Sequence, residues 1–200
     1  PNFSEMNEFF NITGAGQEYN NPTQELISLF VPGDTRKEVT VGVPGGFYDA
    51  DSVFHALPTS TNQTYTKKYF DSSPVRADSK ANWKVIRYAD VLLMYAEALN
   101  ENGKPQQAIP FLNQVRTRAG LEGYPNTMSQ TETRDAIVLE RRLELSFEGV
   151  RWFDLVRTGK AYEVMKDKGM APYMTVFPIP LSQVQIINDP TIFPQNPGYD

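Results

Sequence analysis

The chain has 200 residues, of which 40% are hydrophobic and 22% are charged, a composition typical of folded globular proteins rather than disordered ones. Its formal net charge is −5, and its 19 basic and 24 acidic residues are scattered along the sequence, which argues against nucleic acid as a partner. The absence of cysteine excludes disulfides and cysteine-ligated zinc sites.

The first 81 residues have an irregular pattern, interrupted at short intervals by clusters of glycine, proline and asparagine that are typical of turns. A short helix is predicted at residues 23–29, with Asn21 as its N-cap and a proline at the first helical position. Apolar residues alternate with other residues at 39–43 and again at 65–69. This alternation predicts two short strands that pair with each other.

From residue 82 onward the sequence is strongly helical. Residues 83–102 are apolar on nearly every side of a helix, a pattern that predicts a helix buried all round. A glycine and Pro105 then separate this segment from a second helix, predicted at residues 106–119. Because the connection is so short, we expect the two helices to pack antiparallel.

A second helix pair follows. Ser129 and Glu132 have the spacing of a capping box at the start of a helix predicted at 132–148, and a shorter helix is predicted at 151–158. From Pro172 the chain is a proline-rich tail, which we expect to be ordered because its many apolar side chains require burial. The predicted fold is mostly α: a tetratricopeptide-like superhelix of helix pairs with long irregular loops and this tail.

Charged residues cluster on the predicted 132–148 helix, namely Glu140, Arg141, Arg142, Glu144 and Glu148. Paired carboxylates on one helical face are able to perform general acid–base chemistry. The interleaved arginines, however, keep such carboxylates ionised and make them poor acids. We therefore interpret the cluster as a structural ion-pair network, and we predict no catalytic residue.

Metal ligands are scarce in the sequence. His55 is its only histidine, and one histidine without cysteine does not build the usual tetrahedral zinc site. Asp49, Asp51 and Asp71 are of the type that binds Ca²⁺ but lack the spacing of an EF-hand loop, so we predict no metal residue and no cofactor and leave calcium binding open. We assign His55 to a surface loop. Trp83 and Trp152 lie on or beside predicted helices, which favours a place in the core for both.

Aromatic residues among polar ones in the irregular segment suggest a binding surface. Aromatic rings stack on the apolar faces of sugar rings, while carboxylates and amides accept hydrogen bonds from sugar hydroxyls. The candidate ligand-binding residues are Phe47, Tyr48, Asp49, Tyr65 and Tyr69. An alternative interpretation stays open, in which these aromatic residues anchor a long loop onto the helices.

Several sequence blocks occur together in a characteristic order. They are RYADVLLMYAEALN at 87–100, LNQVRTRAG at 112–120, ERRLELSFEG at 140–149, RWFDLVR at 151–157, PIP at 178–180 and QNPGY at 195–199. In order and spacing these blocks resemble the SusD/RagB family of outer-membrane nutrient-binding lipoproteins. The resemblance is strong over residues 83–199 and thin before them.

The resemblance implies a SusD-like fold and a non-enzymatic protein that binds oligosaccharides or other nutrient oligomers, peptides among them. It also implies a SusC-like TonB-dependent transporter as partner and a cell-surface location, with an amino-terminal lipid anchor in the outer membrane. We expect this chain to be the carboxy-terminal part of a larger protein that carries the anchor. Residues 1–81 and 82–200 are expected to belong to one continuous domain.

Two other functions fit parts of the pattern. The first is a tetratricopeptide-type module that binds a peptide or another protein, which predicts a concave groove with polar side chains and no aromatic platform. The second is a glycoside-active enzyme, which needs two carboxylates facing one cleft, one of them with a raised pKa.

Overall fold

A computed structural model describes residues 10, 20–49, 51–57, 59, 64–71 and 79–199. The chain divides into two compact units, Pro1–Gly149 and Val150–Asp200. The loop residues at 60–63 and 72–78 lie outside the described residues. No helix in the described part of the chain has the length and apolar character needed to cross a bilayer.

Two short helices open the described part of the first unit. Helix α1 is Gln24–Leu29, and its N-cap is Thr23, whose hydroxyl accepts a hydrogen bond from the Leu26 amide at 3.2 Å. The predicted cap at Asn21 is therefore wrong, because the hydroxyl nearest the first turn takes that role. Helix α2 is Arg36–Thr40, and its last two residues fall in the segment 39–43 that was predicted to be a strand.

Among the residues that the structure describes, four two-residue strands form two antiparallel pairs. Strand β1 (Val41–Gly42) pairs with β4 (Tyr65–Thr66), so the predicted pairing of these two segments is confirmed over a shorter length. Strands β2 (Phe47–Tyr48) and β3 (Phe54–His55) form a separate hairpin. The second strand pair was not predicted.

Three longer helices make the main core of the first unit. They are α3 (Tyr88–Glu101), α4 (Pro105–Arg118) and α5 (Gln130–Glu144), and the capping box predicted at the start of α5 is confirmed. Their buried side chains form one apolar cluster: Leu92, Leu93, Ala96, Ala108, Leu112, Val115, Ala136 and Ile137. The mostly α architecture is therefore as predicted, whereas the superhelical tetratricopeptide-like stacking stays a prediction.

Helix α3 differs from its prediction in two ways. It begins at Tyr88 rather than near residue 83, because Arg87 has an extended backbone and its guanidinium is bound to Glu144 and Glu148. The expectation of burial on every side is also wrong, since α3 packs on α4 and α5 with one face only. Its other face leaves Tyr88 73% exposed and Tyr95 51% exposed.

The second unit consists of short helices and a folded tail. Its helices are α6 (Arg151–Arg157), α7 (Ala161–Met165) and α8 (Leu181–Ile187), with 3-10 turns at Lys166–Lys168 and Pro172–Thr175. The tail turns back on itself, because the Gln195 amide donates to the Ile179 carbonyl and accepts from the Ile179 amide. The expected burial of its apolar side chains is wrong in this chain, where residues such as Leu181 are exposed.

Candidate functional site

The β2–β3 hairpin presents a different pair of aromatic rings on each face. Because successive side chains of a strand point to opposite faces, its two cross-strand pairs, Phe47–His55 and Tyr48–Phe54, lie on opposite sides. Tyr48 and Phe54 are 66% and 51% exposed, and their ring centroids are 5.1 Å apart with an interplanar angle of 55°. We call this pair the outer face.

The opposite side of the hairpin, formed by Phe47 and His55, is its inner face. The ring of Phe70 packs against both, with centroids 5.1 Å from Phe47 and 4.5 Å from His55. Phe47 and Phe70 also pack against the buried cluster of Leu57 and Tyr65. The inner face therefore fixes the hairpin to the first unit and leaves the outer face toward solvent.

Asp49 organises the loop that joins the two strands. One carboxylate oxygen accepts hydrogen bonds from the amides of Asp51 and Val53, at 3.0 and 2.9 Å. The other oxygen lies 2.7 Å from Nε2 of His55. The hydrogen bond with His55, followed by that from the Val53 amide, lowers the pKa of Asp49.

A glycine is required where the chain enters the hairpin. Gly46 has a φ of +123°, and a Cβ atom at this position would lie 2.4 Å from the carbonyl oxygen of His55. Any other residue would need both a rare backbone conformation and a shift of β3. This position therefore sets the close approach of the two strands.

The structure separates the five predicted ligand-binding residues. Tyr48 is exposed on the outer face, Phe47 is on the inner face, and Asp49 is occupied within the loop. Tyr65 and Tyr69 are only 2% and 3% exposed, so neither ring offers a surface to a ligand in this structure. Burial also raises the pKa of Tyr69 to about 12.

Three other aromatic or imidazole residues differ from their predictions or were missed. His55 is a strand residue of the inner face rather than a surface-loop residue. Trp83 is 45% exposed and stacks on Tyr69 with ring centroids 5.5 Å apart, so its predicted place in the core is wrong. Phe54 belongs to the same aromatic segment of the sequence but was not among the five candidates.

The charged cluster forms a buried ion network around α5. Arg36 donates to Asp34 at 2.7 Å and to Glu140 at 2.5 Å, and all three side chains are at most 5% exposed. Glu144 receives hydrogen bonds from Arg87 at 2.9 Å and from Arg118 at 2.5 Å. The structural interpretation of the cluster is thereby confirmed for these ion pairs.

Glu148 closes the network beyond the end of α5. Both of its oxygens accept from Arg87 at 2.8 Å, and it also forms an ion pair with Lys68. Lys68 donates in addition to the carbonyl oxygens of Glu144 and Ser146, at and just beyond the carboxyl end of α5, where a positive charge is favourable. Burial opposes ionisation of Glu148, but the hydrogen bonds from Arg87 and Lys68 prevail and hold its pKa below the usual range.

The lowered pKa of Glu148 predicts an acid-dependent loss of stability. The ionised carboxylate of Glu148 makes its full contribution to the free energy of unfolding above the ordinary glutamate pKa of 4.5. This contribution disappears as the pH falls through the lower pKa that Glu148 has in the folded state. We expect Glu148→Gln to reduce the free energy of unfolding at neutral pH by about 1.5–3 kcal/mol, because charged hydrogen bonds are lost. We also expect the variant to show a flatter pH dependence in the acid range.

Urea denaturation followed by circular dichroism at a series of pH values measures both effects. Glu122→Gln, at an exposed position of the same unit, is the matched control and should retain the wild-type pH dependence. If the free energy of unfolding of Glu148→Gln depends on pH as it does in the wild type, the Glu148 carboxylate does not contribute to the acid-dependent loss of stability.

Comparisons with known proteins agree on one family. The sequence profile of the SusD family matches residues 5–193. The SusD-like protein P38 of Formosa agariphila is 36% identical over 156 residues, which are 74% of this chain and 28% of that protein. This chain therefore spans less than a third of the length of that relative.

Two solved structures are similar both in sequence and in fold. A SusD superfamily protein from Parabacteroides distasonis is 30% identical and superposes with a TM-score of 0.67. The match covers 90% of this chain and 42% of the chain of that protein. A laminarin-binding SusD-like protein is 32% identical and superposes with a TM-score of 0.65. The match covers 100% of this chain and 42% of the chain of that protein.

Proposed function

Because the chain belongs to the SusD family, we propose that it is part of a cell-surface protein that binds glycans and that the outer face of its β2–β3 hairpin contacts the sugar. The observation that carries this proposal is the exposed pair of Tyr48 and Phe54 on a hairpin whose other face is anchored. Exposed aromatic rings held by packing at their base are the usual means of recognising a sugar ring.

The chemistry of the outer face favours an uncharged ring. Its two side chains offer aromatic surface and one phenol hydroxyl, while the Asp49 carboxylate accepts hydrogen bonds within the loop. A sugar is able to lay its apolar C–H face on these rings and keep its hydroxyls in contact with water or with the phenol. We select laminarin as the first ligand to test, because a similar SusD-like protein binds it.

The wider role proposed for the protein follows from the family. In this proposal the glycan is passed to a SusC-like TonB-dependent transporter at the outer membrane, and an amino-terminal lipid anchors the complete protein. A nutrient oligomer such as a peptide is the alternative ligand class.

The other two functions have less support. A peptide-binding tetratricopeptide-type module does not call for exposed aromatic rings on a hairpin, and these are present. A glycoside-active enzyme needs two carboxylates that face one cleft, whereas Glu140 and Glu144 are held in ion pairs with Arg36 and Arg87. We therefore propose a binding protein that releases laminarin intact, which analysis of the products after incubation checks.

The proposal predicts that Tyr48→Ala and Phe54→Ala each weaken laminarin binding. We expect the dissociation constant to rise about tenfold or more for each variant, which corresponds to about 1.4 kcal/mol of binding free energy. Isothermal titration calorimetry of the whole chain with laminarin oligosaccharides measures the change. Tyr162→Ala, which removes a 43% exposed ring from the second unit, is the matched control and should bind like the wild type.

Two results would contradict the proposal. One is a wild-type chain that binds neither laminarin nor any other member of a panel of neutral glycans. The other is a Tyr48→Ala/Phe54→Ala double variant that binds as tightly as the wild type, because the contact surface would then lie elsewhere.

A further inference from the structure

We propose that Asp49 and His55 are positioning residues that hold the outer face in its binding geometry without contacting the glycan. This inference rests on the proposed function of the outer face. It gives Asp49 a different task from the one predicted from sequence, where its carboxylate was a candidate for direct contact with the ligand.

The hairpin needs such support because its strands are very short. Each strand has two residues, and an isolated two-stranded hairpin is marginally stable at best in water. Ser52 in the connecting loop has a φ of +62°, in the left-handed region that residues other than glycine rarely adopt. The hydrogen bonds of the loop must therefore compensate for a strained backbone.

Asp49 supplies those hydrogen bonds from a single carboxylate. It accepts the amides of Asp51 and Val53 with one oxygen, while its own amide donates to the Val53 carbonyl at 3.0 Å. Its second oxygen reaches across to His55 on β3. The same side chain thus binds the middle of the loop, its end and the far strand.

His55 connects this loop to the anchored side of the hairpin. Its ring packs between Phe47 and Phe70 with centroids 5.4 and 4.5 Å away, and its side chain is 17% exposed. Because Phe54 immediately precedes His55, fixing the imidazole fixes the backbone that carries Phe54. The separation of 5.1 Å between the outer rings then depends on the Asp49–His55 contact.

The charged surroundings determine how this contact responds to pH. Lys67 lies over the Phe47 ring at 4.2 Å. Burial lowers the pKa of Lys67, while the carboxylates of Glu38 and Asp49 favour its charged form. The ionised carboxylate of Asp49 accepts the two loop amides, and its protonation weakens these hydrogen bonds. The contact is therefore weakened when the pH falls through the lowered pKa of Asp49.

Two substitutions at Asp49 test the inference on the whole chain, with laminarin oligosaccharides as the probe. Asp49→Ala is expected to weaken binding about tenfold, because the outer face is no longer preorganised. Asp49→Asn retains an oxygen for the two amides and an amide group for the His55 ring nitrogen, so binding at neutral pH should be close to that of the wild type. Asp51→Ala, at an exposed position of the same loop, is the matched control.

The pH profile distinguishes positioning from direct contact. Wild-type binding should weaken in the acid range as Asp49 is protonated, and Asp49→Asn should not show this loss. If Asp49→Asn binds as weakly as Asp49→Ala, the carboxylate contacts the sugar and the inference is overturned.

Hydrogen exchange keeps the test independent of the ligand. The amides of Asp51 and Val53 should exchange faster in Asp49→Ala than in the wild type, with the melting temperature of the chain unchanged. Unchanged exchange at both amides would overturn the positioning role even if laminarin binds. Failure of the wild type to bind laminarin or any other glycan of the panel would instead refute the proposed function, while the exchange rates still decide the role of Asp49.

Discussion

Replacing Arg36 with methionine is expected to reduce the free energy of unfolding by about 3–5 kcal/mol, one of the two largest effects in the first unit. The guanidinium is 5% exposed and neutralises Asp34 and Glu140, whose side chains are both fully buried. Methionine has a similar length but no charge, so both carboxylates would remain buried without this partner. Burying unpaired charge costs far more than the ion pair itself contributes.

The matched control is Arg134→Met, which removes an arginine from an exposed pair. Arg134 binds both oxygens of Glu101, but the two side chains are 42% and 43% exposed. Because water replaces the partner of an exposed charge, Arg134→Met should reduce the free energy of unfolding by less than about 1 kcal/mol. Urea denaturation followed by circular dichroism measures both variants, and equal small losses would mean that the buried network does not stabilise the fold.

Leu112→Ala is expected to reduce the free energy of unfolding by about 2–5 kcal/mol. Leu112 lies on α4, has no exposed surface, and belongs to the cluster in which α3, α4 and α5 meet. Alanine would leave a cavity among side chains that helices hold in fixed positions, so the surroundings relax only in part. The same denaturation experiment measures the loss.

An exposed leucine provides the comparison for this cavity. Leu181 is 67% exposed, and Leu181→Ala should change the free energy of unfolding by no more than about 0.5 kcal/mol. A wild-type denaturation midpoint for Leu112→Ala would show that the three-helix cluster is not the stabilising core.

The helices were the part of the fold that local sequence predicts best. The start of α5 follows from Ser129 and Glu132, which satisfy amides of the first turn within four residues of chain. The break between α3 and α4 follows from Gly103, whose φ of +72° suits a residue without a Cβ atom, and from Pro105. These signals act between near neighbours and therefore survive without knowledge of the tertiary structure.

The burial of α3 required information that its own sequence lacks. An apolar side chain is suited to burial, but whether it is buried depends on which other helices pack against it. Tyr88 and Leu93 are both apolar enough for a core, yet only Leu93 faces the other helices, and Tyr88 remains 73% exposed. A helical pattern that is apolar on every side predicts no single inward face.

The candidate site was predicted only in part, because its exposed rings, like the exposed face of α3, depend on the tertiary structure. Composition identified the aromatic segment, including Tyr48, but strand register decides which rings reach solvent. One register places Tyr48 with Phe54 on the outer face, while β4 carries Tyr65 into the core. Since a shift of one residue exchanges the two faces of a strand, a list of aromatic residues does not identify a binding surface.

The contact between Asp49 and His55 was also beyond the sequence prediction. A lone histidine was assigned to a loop because no second ligand or catalytic partner accompanied it. The hairpin brings it within 2.7 Å of a carboxylate six residues earlier, a proximity that only the turn geometry creates. Interpretation of the ion network succeeded, by contrast, because the alternation of arginine and glutamate is itself visible in the sequence.

The stacking of Trp83 on Tyr69 has a practical consequence. The chain has two tryptophans, and one lies in each compact unit, Trp83 in the first and Trp152 in the second. Each indole is therefore an intrinsic fluorescent reporter of its own unit. With Trp152→Phe, the remaining emission comes from an indole that lies 5.5 Å from a buried phenol ring, and with Trp83→Phe it comes from the second unit alone. The pair of single-tryptophan variants makes it possible to follow the unfolding of each unit separately by its emission spectrum.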